Sequence, residues 1–424
     1  MSRATPRVYL VGAGPGDPSL ISLRGYRVLQ RADVVIYDHR VQARLLRWAP
    51  PSAERIDVGR SSAKPLEQDA VALLVAEKAR EGRTVVRLKW GDPFVFDTGG
   101  KEALLLAQHG IAFEIVPGIP AAIAAPAYAG IPVTHRRVST SVAFITGHED
   151  PTKGRSDVDW QKIANGADTL VLYMGVGRLT EISEALTSAG KSPETPVACV
   201  RWGTRPDQEI VTGTLQNIAE KVSEANLKPP AITVVGEVVA LRESGLDWYE
   251  RRPLFGRRVV VTRARAQAGE LSVELEKLGA EVVEFPTIEI SPPQDFGPLD
   301  AAIQDLDSFD WIVFTSVNGV EAFVERLRHH GLDLRAVPRD AKIAAIGPAT
   351  AERLGEAGLR VDVMPEEYRA EALIEALEGD SLAGKHILIP RAKVAREILP
   401  EKLREAFVLF DIEGFDYAEI ATMT

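Results

Sequence analysis

Cysteine is nearly missing from this sequence, in which Cys199 is the one thiol among 424 residues. A lone cysteine excludes disulfides within the chain and any metal or iron–sulfur site that needs several thiolates from one chain. Long hydrophobic runs are missing as well. The longest, Ile119 to Val133, is interrupted by Pro120, Pro126 and Pro132 and is shorter than the ~20 residues of a membrane helix. We therefore expect neither a metal site nor a membrane span.

Basic residues are fewer than acidic ones, because the sequence has 50 Lys and Arg and 60 Asp and Glu. Its formal net charge is −10. This balance argues against a nucleic-acid partner, although a local basic pocket can still bind an acidic small molecule. Gly12, Gly14, Gly16 and Asp17 interrupt the first apolar stretch before a signal-peptide core could form. The sequence predicts a cytoplasmic protein.

Short β-branched segments alternate with helix-length segments almost throughout the chain, which predicts an α/β fold. Strands are predicted at Arg7–Gly12, Asp33–Tyr37, Thr84–Lys89, Phe113–Val116, Val142–Thr146, Thr169–Tyr173, Val197–Arg201 and Ile232–Val235. Residues 246–256 are polar, lack a clear period and contain Pro253 and Gly256, so we interpret them as a linker. A new βα unit begins at Arg258, which predicts domains at 1–245 and 257–424.

The first predicted strand ends in a glycine-rich turn, Gly12-Ala-Gly14-Pro15-Gly16. Glycines at this position let the backbone approach a ligand at the carboxyl edge of a sheet. The spacing differs from the dinucleotide-binding pattern, because the third glycine comes one residue early and Pro15 removes an amide donor. Asp38 ends the next strand, so a nicotinamide-binding oxidoreductase remains a distant alternative.

Two further clusters follow, Arg87-Leu-Lys-Trp-Gly-Asp-Pro-Phe94 and Val116-Pro-Gly-Ile-Pro-Ala-Ala122, and a third contains Thr134-His-Arg136. In this order they resemble the tetrapyrrole methylase family, most closely its uroporphyrinogen-III C-methyltransferase branch, over about residues 7–245. The resemblance implies two α/β subdomains, about 1–117 and 118–245, with S-adenosyl-L-methionine in the cleft between them.

The resemblance also implies which residues bind and react. The cofactor contacts carry over to Pro15, Trp90, Gly91, Asp92, Val95, Pro120, Ala121, Met174, Gly203 and Ala231. Asp38 matches the family's catalytic acidic residue, whose carboxylate would act as a general base. Arg60 stands where the family usually has a lysine proton donor, and arginine, which stays protonated, is a poor general acid. The tetrapyrrole carries carboxylates, for which Thr134, His135 and Arg136 are candidates, together with Arg137 and Lys89.

The implied reaction is methylation of uroporphyrinogen III to precorrin-2, for siroheme or cobalamin, by a homodimer. The sequence departs from the family's residue pattern at three places that affect the substrate assignment. They are Trp90 where glycine is common, Pro120 where threonine is common, and Asp97-Thr98 in place of Gly-Arg. A methyltransferase acting on a precorrin of the cobalamin branch, or a weakened protein that only binds the cofactor and tetrapyrrole, are therefore alternatives.

The second half resembles uroporphyrinogen-III synthase through segments around Arg258–Arg263, Asp310–Val320, Ala345–Ala351 and Leu388–Ala392. Hydroxyls of Thr315, Ser316 and Thr350 follow predicted strands, where they either hold carboxylates or cap helices. The family has two copies of this pattern, whereas one is visible here. We expect a flavodoxin-like α/β domain that is truncated and does not close the tetrapyrrole ring.

Overall fold

The computed structural model describes residues 7–59, 68–147, 158–263, 265–291, 293, 295–378, 382, 384–391, 409–413 and 416–419. The chain divides into two compact units, Met1–Val259 with Val273–Val282, and Val260–Ser272 with Val283–Thr424. Within the described ranges, every helix is too short or too polar to span a bilayer. The same ranges contain no cluster of three or more His, Cys, Asp or Glu side chains suited to a metal ion.

The first sheet of the first unit is parallel, with its central strands buried on both faces. Its strands are β1 Val8–Gly12, β2 Val34–Tyr37, β3 Glu54–Asp57, β4 Val85–Lys89 and β5 Phe113–Val116, in the order β3-β2-β4-β1-β5. The helices between them are α1 Leu23–Leu29, α2 Ala43–Leu46, α3 Gln68–Arg80 and α4 Gly99–Gln108. Because all five strands run the same way, the residues that follow them meet at one edge.

The second sheet of this unit is mixed. Its strands are β6 Val142–Thr146, β7 Thr169–Tyr173, β8 Pro196–Arg201, β9 Glu209–Thr214 and β10 Ala231–Val235, in the order β6-β7-β10-β8-β9. Only β6 and β7 pair in parallel. The helices are α5 Ala121–Tyr128, α6 Trp160–Gly166, α7 Leu179–Ser188 and α8 Ile218–Glu224. The apolar faces of α6, α7 and α8 cover one side of the sheet, and α5 covers the other.

The segment predicted as a linker packs against the first unit. After a 3₁₀ helix at Glu237–Ser244, Tyr249 is buried and its ring centroid lies 4.7 Å from that of Tyr128 and 5.4 Å from that of Phe255. Its hydroxyl donates to the carbonyl of Thr204 over 3.1 Å. These contacts attach the segment to the methylase-like half, while the predicted domain limits stay predictions.

The second unit has a parallel sheet of β14 Trp311–Phe314, β15 Lys342–Ala345, β16 Ile387–Arg391 and β17 Leu409–Glu413, in the order β15-β14-β16-β17. The pair β13 Ile288–Ser291 with β18 Asp416–Glu419 also belongs to this unit. The pair β11 Arg258–Val261 with β12 Glu281–Glu284, and helix α9 Arg265–Lys277, contain residues of both units. The other helices of the second unit are α10 Gly297–Gln304, α11 Val317–His329, α12 Pro348–Ala357 and α13 Ala370–Glu378. Its core contains Ile312, Phe314, Phe323 and Leu354.

Candidate active site

The glycine turn after β1 is bonded to the loop after β4. Ala13 N donates to Lys89 O over 2.7 Å, and Gly14 and Gly91 exchange backbone hydrogen bonds of 3.2 and 2.9 Å. Gly14 and Gly91 have φ angles of +76° and +75°, in the left-handed region that favours glycine. The two central strands of the first sheet therefore end in one shared backbone surface, open to close approach by a ligand.

A third backbone segment crosses this surface at Gly118. A Cβ atom there would lie 2.3 Å from Gly91 O and 2.7 Å from Gly12 Cα. Asp92 secures the crossing, because its Oδ2 accepts from Gly118 N over 3.0 Å and its Oδ1 accepts from Phe94 N over 2.8 Å. Three chain segments can meet here only because the positions in contact have no side chain.

The predicted cofactor residues Pro15, Trp90 and Asp92 join this surface to Asp38. Trp90 Nε1 donates to Pro15 O over 2.7 Å, and the backbone amide of Trp90 lies 3.4 Å from Asp38 Oδ2. The guanidinium of Arg40 lies 5.2 Å above the indole ring, within cation–π range. Trp90 thus spans the distance between the glycine turn and the predicted catalytic carboxylate.

The other predicted cofactor residues lie around the start of α5 and the ends of the second sheet. Val95 N approaches Asp92 O at 3.5 Å, Pro120 is the N-cap of α5 and Ala121 is its first residue. The next amide, Ala122 N, donates to the Tyr173 hydroxyl over 3.1 Å. Met174 follows with a φ of +56° and an exposed side chain.

Gly203 and Ala231 belong to the same region. A Cβ atom on Gly203 would lie 2.3 Å from the Cβ of Ala125, so a glycine is needed for α5 to pack there. Thr204 Oγ1, one residue later, accepts from Asp17 N over 2.9 Å and so joins the segment after β8 to the segment after β1. Ala231 begins β10 opposite Arg201. Contacts therefore connect the segments of Pro15, Trp90, Pro120 and Gly203, and the binding of the cofactor by the ten residues stays a prediction.

Asp38 pairs with the buried side chain of Arg87, which had no predicted role. Arg87 Nη2 lies 2.5 Å from Asp38 Oδ1, and its Nε lies 3.0 Å from Glu102 Oε2. Lys89 Nζ lies 2.7 Å from Glu102 Oε1. Burial opposes ionisation of Glu102, but the charges of Arg87 and Lys89 outweigh it and lower its pKa to about 2. Lys89, expected to bind a substrate carboxylate, is instead fully buried in this cluster.

One signal in the sequence could have revealed this cluster. Arg87 and Lys89 alternate within the strand Val85–Lys89, and a strand at the centre of a parallel sheet is buried on both faces. Two cations on one face of such a strand require buried carboxylates nearby. Glu102, on the first turn of α4, is the partner.

The predicted substrate residues lie together on one exposed turn, and their role stays a prediction. Thr134, His135 and Arg136 are exposed on a turn held by hydrogen bonds such as His135 N to Ser139 O, 2.8 Å. In the described part of the chain, no contact joins this turn to Asp38. Arg60 lies outside the described residues, so its proposed role stays a prediction.

A cavity of about 450 Å³ lies elsewhere in the first unit, between β9, α8 and the residues after β10. Its lining includes Lys221, Arg242 and Arg251, and none of the predicted site residues. Arg242 already pairs with Glu250, and Arg251 with Asp247. This cavity is therefore a weaker candidate for the reaction than the glycine-lined cleft.

The surface around the glycine segments offers backbone polar groups and exposed apolar side chains to a ligand. The exposed apolar side chains include Phe94, Phe96 and Met174. Phe96, with a φ of +48°, places its ring centroid 4.7 Å from that of Tyr173 on the second sheet. Such a surface can hold the adenine ring and the flat face of a large substrate.

The first unit is an α/β fold with a glycine-rich candidate site at the ends of its parallel sheet. The chain matches the family described as Tetrapyrrole (Corrin/Porphyrin) Methylases over residues 7–219, and it belongs to that family. Residues 269–413 match a second family, Uroporphyrinogen-III synthase HemD. The recognition of both families from the sequence is confirmed, and so is the α/β fold.

Several known proteins are similar to this chain. The porphyrin biosynthesis protein HemD of Ruminiclostridium josui is 38% identical over 405 residues, covering 95% of this chain and 80% of its own. An S-adenosyl-L-methionine-dependent uroporphyrinogen III methyltransferase of Methanosarcina barkeri is 50% identical over 244 residues, 57% of this chain and 96% of its own. Among solved structures, a cobalt precorrin-4 methyltransferase has a TM-score of 0.50 and 29% identity, covering 55% of this chain and 95% of its own.

Proposed function

We propose that the first unit transfers methyl groups from S-adenosyl-L-methionine to carbons of uroporphyrinogen III. The observation that carries this function is the 50% identity to the M. barkeri methyltransferase across nearly all of that enzyme. The contacts of Trp90 with Pro15 O and with Asp38 Oδ2 support this proposal, because they bring the glycine turn near the proposed base.

The main catalytic task is to align the methyl group of the cofactor with the pyrrole carbon that it joins. The bound cofactor supplies a methyl group on a sulfonium, which an electron-rich pyrrole carbon can attack in line. The crossing at Gly118 and the turn at Gly14 present backbone groups to the cofactor. Asp92 keeps these segments in register through its bonds to Gly118 and Phe94.

Asp38 is the proposed base. Methylation of a ring carbon forms a carbon–carbon bond as the methyl–sulfur bond breaks, and the neutral thioether leaves with that electron pair. The ring then has a proton to lose, which a carboxylate can accept. Arg87 binds Oδ1 of Asp38 and leaves Oδ2 near the Trp90 amide. Arg87 therefore acts as a positioning residue. We expect two methylations, giving precorrin-2 for siroheme or cobalamin synthesis.

The direct experiment supplies methyl-labelled S-adenosyl-L-methionine and uroporphyrinogen III and counts the labels in the tetrapyrrole. Asp38→Asn should lower kcat by about 10²- to 10⁴-fold while S-adenosylhomocysteine still binds. Asp69→Asn, an exposed carboxylate on α3 paired with Lys101, is the matched control and should leave kcat unchanged.

The alternatives give different results in the same assay. Cofactor binding without transfer to any tetrapyrrole identifies a weakened binding protein. Transfer to a precorrin alone identifies the cobalamin branch, to which the likeness to cobalt precorrin-4 methyltransferase points. Binding of a nicotinamide cofactor alone contradicts methyl transfer.

Four expectations remain predictions from the sequence and the family. They are the homodimer, the cytoplasmic location, the lack of a nucleic-acid partner, and the inability of the second unit to close the tetrapyrrole ring. The last expectation is tested by supplying hydroxymethylbilane and separating the uroporphyrinogen isomers that form. An enzymatic excess of isomer III contradicts it.

A further inference from the structure

Thr204, directly after Gly203, has a backbone conformation that threonine rarely adopts. Its φ is +77°, in the left-handed region, and Trp202 on the other side of Gly203 has a φ of +49°. A β-branched residue is strained in that region, and such strain persists only where the surrounding structure holds the residue in place. Thr204 is 1% exposed, so its packed surroundings must supply that hold.

Each polar group of Thr204 makes a hydrogen bond to a different part of the first unit. Its amide donates to Gln208 Oε1 over 3.0 Å, its Oγ1 accepts from Asp17 N over 2.9 Å, and its carbonyl accepts from the Tyr249 hydroxyl over 3.1 Å. Gln208 and Tyr249 are themselves buried. Water cannot easily replace these bonds, because a buried polar group that loses its partner is left unsatisfied. Together they hold the strained residue.

A second connection leads from Gln208 back to Asp17 through Tyr128. Gln208 Nε2 donates to Tyr128 O over 3.3 Å, and the Tyr128 hydroxyl donates to Asp17 Oδ2 over 2.9 Å. These two bonds and those of Thr204 close a ring of hydrogen bonds. Burial raises the pKa of the Tyr128 and Tyr249 hydroxyls, and the nearby charge of Asp17 raises both further. Both hydroxyls therefore keep their protons and act as donors.

Asp17 directly follows the glycine turn, so the ring of hydrogen bonds fixes one end of that turn. Asp17 Oδ1 also accepts from the amide and the hydroxyl of Ser19 over 2.8 and 2.7 Å. A Cβ atom on Gly16 would lie 2.7 Å from Thr204 Oγ1, which shows how closely the two loops approach. Thr204 therefore sets the distance between the glycine turn and Gly203.

Tyr249 lies outside residues 7–219, which match the methylase family, and its own position is fixed by further contacts. The guanidinium of Arg252 lies 4.9 Å from its ring centroid, within cation–π range. The amide of Gly256 donates to Pro206 O over 3.1 Å, on the same loop as Thr204. The segment that the sequence predicted as a linker therefore supports this loop from outside the family match.

We propose that Tyr249 is a positioning residue for the methyl-transfer site. Its hydroxyl keeps Thr204 in the strained conformation in which the threonine hydroxyl holds the glycine turn beside Gly203. This rests on the proposed function, in which the glycine turn and Gly203 contact S-adenosyl-L-methionine. Tyr249 acts on the cofactor through Thr204 and Asp17, and loss of its hydroxyl leaves the Thr204 carbonyl unsatisfied.

The first test measures binding of S-adenosylhomocysteine by titration calorimetry, with urea unfolding in parallel. Tyr249→Phe keeps the buried ring and removes the donor, so binding should weaken about fivefold. Trp248→Phe is the matched control, because Trp248 packs 5.5 Å from Tyr249 and its lost bond is to Ala127 O. It should lower the free energy of unfolding similarly and leave binding within about twofold. Wild-type binding by Tyr249→Phe, or equal losses in both variants, overturns the proposal.

Substitutions of Thr204 separate positioning from stability. Thr204→Ala and Thr204→Gly both lose the hydroxyl that accepts from Asp17 N, so both should weaken binding about fivefold or more. Thr204→Gly also relieves the left-handed strain and should be the more stable of the two. Thr204→Ser retains the hydroxyl and should restore binding. Recovery of binding in Thr204→Gly along with stability would mean that the residue acts through stability alone, which contradicts the proposal.

The same variants distinguish this proposal from the proposed function. A chain that binds S-adenosylhomocysteine and loses affinity in Tyr249→Phe, yet methylates no tetrapyrrole, supports the positioning role and contradicts the function. In an active enzyme, Tyr249→Phe should raise KM for S-adenosyl-L-methionine about fivefold and leave kcat within about twofold. A lower kcat with an unchanged KM overturns the positioning role and leaves methyl transfer established. A wild-type chain that does not bind S-adenosylhomocysteine contradicts both.

Discussion

The indole Nε1 of Trp90 donates a hydrogen bond to the carbonyl oxygen of Pro15 over 2.7 Å. This bond ties the loop after β4 to the glycine turn after β1, both of which we propose to contact the cofactor. Trp90→Phe keeps an aromatic ring and removes the donor. We predict that it weakens binding of S-adenosylhomocysteine about fivefold, since one hydrogen bond contributes about 1 kcal/mol. Titration calorimetry measures the change.

Trp248 offers a matched control for this substitution. Its Nε1 donates to Ala127 O over 3.0 Å, on α5 rather than on the loops after β1 and β4. Trp248→Phe should lower the free energy of unfolding by a similar amount and leave cofactor binding unchanged. Equal loss of binding in the two variants would mean that Trp90 acts through general stability alone.

Gly118 is predicted to be intolerant of any side chain. An added Cβ would lie 2.3 Å from Gly91 O and 2.7 Å from Gly12 Cα, so backbone rather than flexible side chains must move. Gly118→Ala should lower the free energy of unfolding by about 1–3 kcal/mol and weaken S-adenosylhomocysteine binding. Chemical denaturation and calorimetry measure the two effects.

The control for Gly118 is Gly100, on the first turn of α4, where an added Cβ meets nothing within 4 Å. Gly100→Ala should raise stability by about 0.5–1 kcal/mol, because alanine favours helix. If Gly118→Ala were as stable as Gly100→Ala, the close crossing of the three segments would be wrong.

In the two sheets of the first unit the strands that the sequence did not predict are edge strands, although two other edge strands, Phe113–Val116 and Val142–Thr146, were predicted. The predicted strands at Thr84–Lys89 and Ile232–Val235 correspond to β4 and β10, in the interior of their sheets. Glu54–Asp57 and Glu209–Thr214 were not predicted, and both are edge strands. One side of an edge strand faces solvent or loops, so these segments carry charges and lack the apolar run that marks a buried strand.

The residues of the candidate site also fall into two groups, those that the sequence could locate and those that it could not. Turn motifs such as Gly12–Gly16 are local, and the family resemblance located them in the sequence. The pairing of Arg87 with Asp38 joins residues 49 positions apart and depends on β2 and β4 being neighbours in the sheet. Strand order is a tertiary property, so spacing along the chain could not reveal which buried cation belongs to which carboxylate.

Glu102 should make stability depend on pH in the acid range. Its pKa is lowered in the folded protein from 4.5 to about 2, so the folded state binds that proton more weakly than the unfolded chain. The ionised carboxylate stabilises the fold fully above about pH 4.5, and the contribution of about 3 kcal/mol is lost as pH falls to about 2. Urea unfolding at a series of pH values measures this slope.

Glu102→Gln should flatten that slope. It should also lower stability near neutral pH by about 3–5 kcal/mol, because Arg87 and Lys89 lose their shared buried partner. Glu184→Gln, at an exposed position on α7, should keep the wild-type dependence. A Glu102→Gln variant with an unchanged slope between about pH 2 and 5 would assign the dependence to other carboxylates.

Ser316 in the second unit allows its two predicted roles to be separated. Its Oγ accepts from Gly319 N over 3.1 Å at the N-cap of α11. Ser316→Ala should cost about 1 kcal/mol, whereas Ser316→Asp should retain the cap because aspartate is an equally good N-cap residue. Hydrogen exchange of amides in the first turn of α11 measures both. If the hydroxyl instead holds a substrate carboxylate, Ser316→Asp would preserve amide protection and still abolish binding of hydroxymethylbilane, since two like charges would face each other.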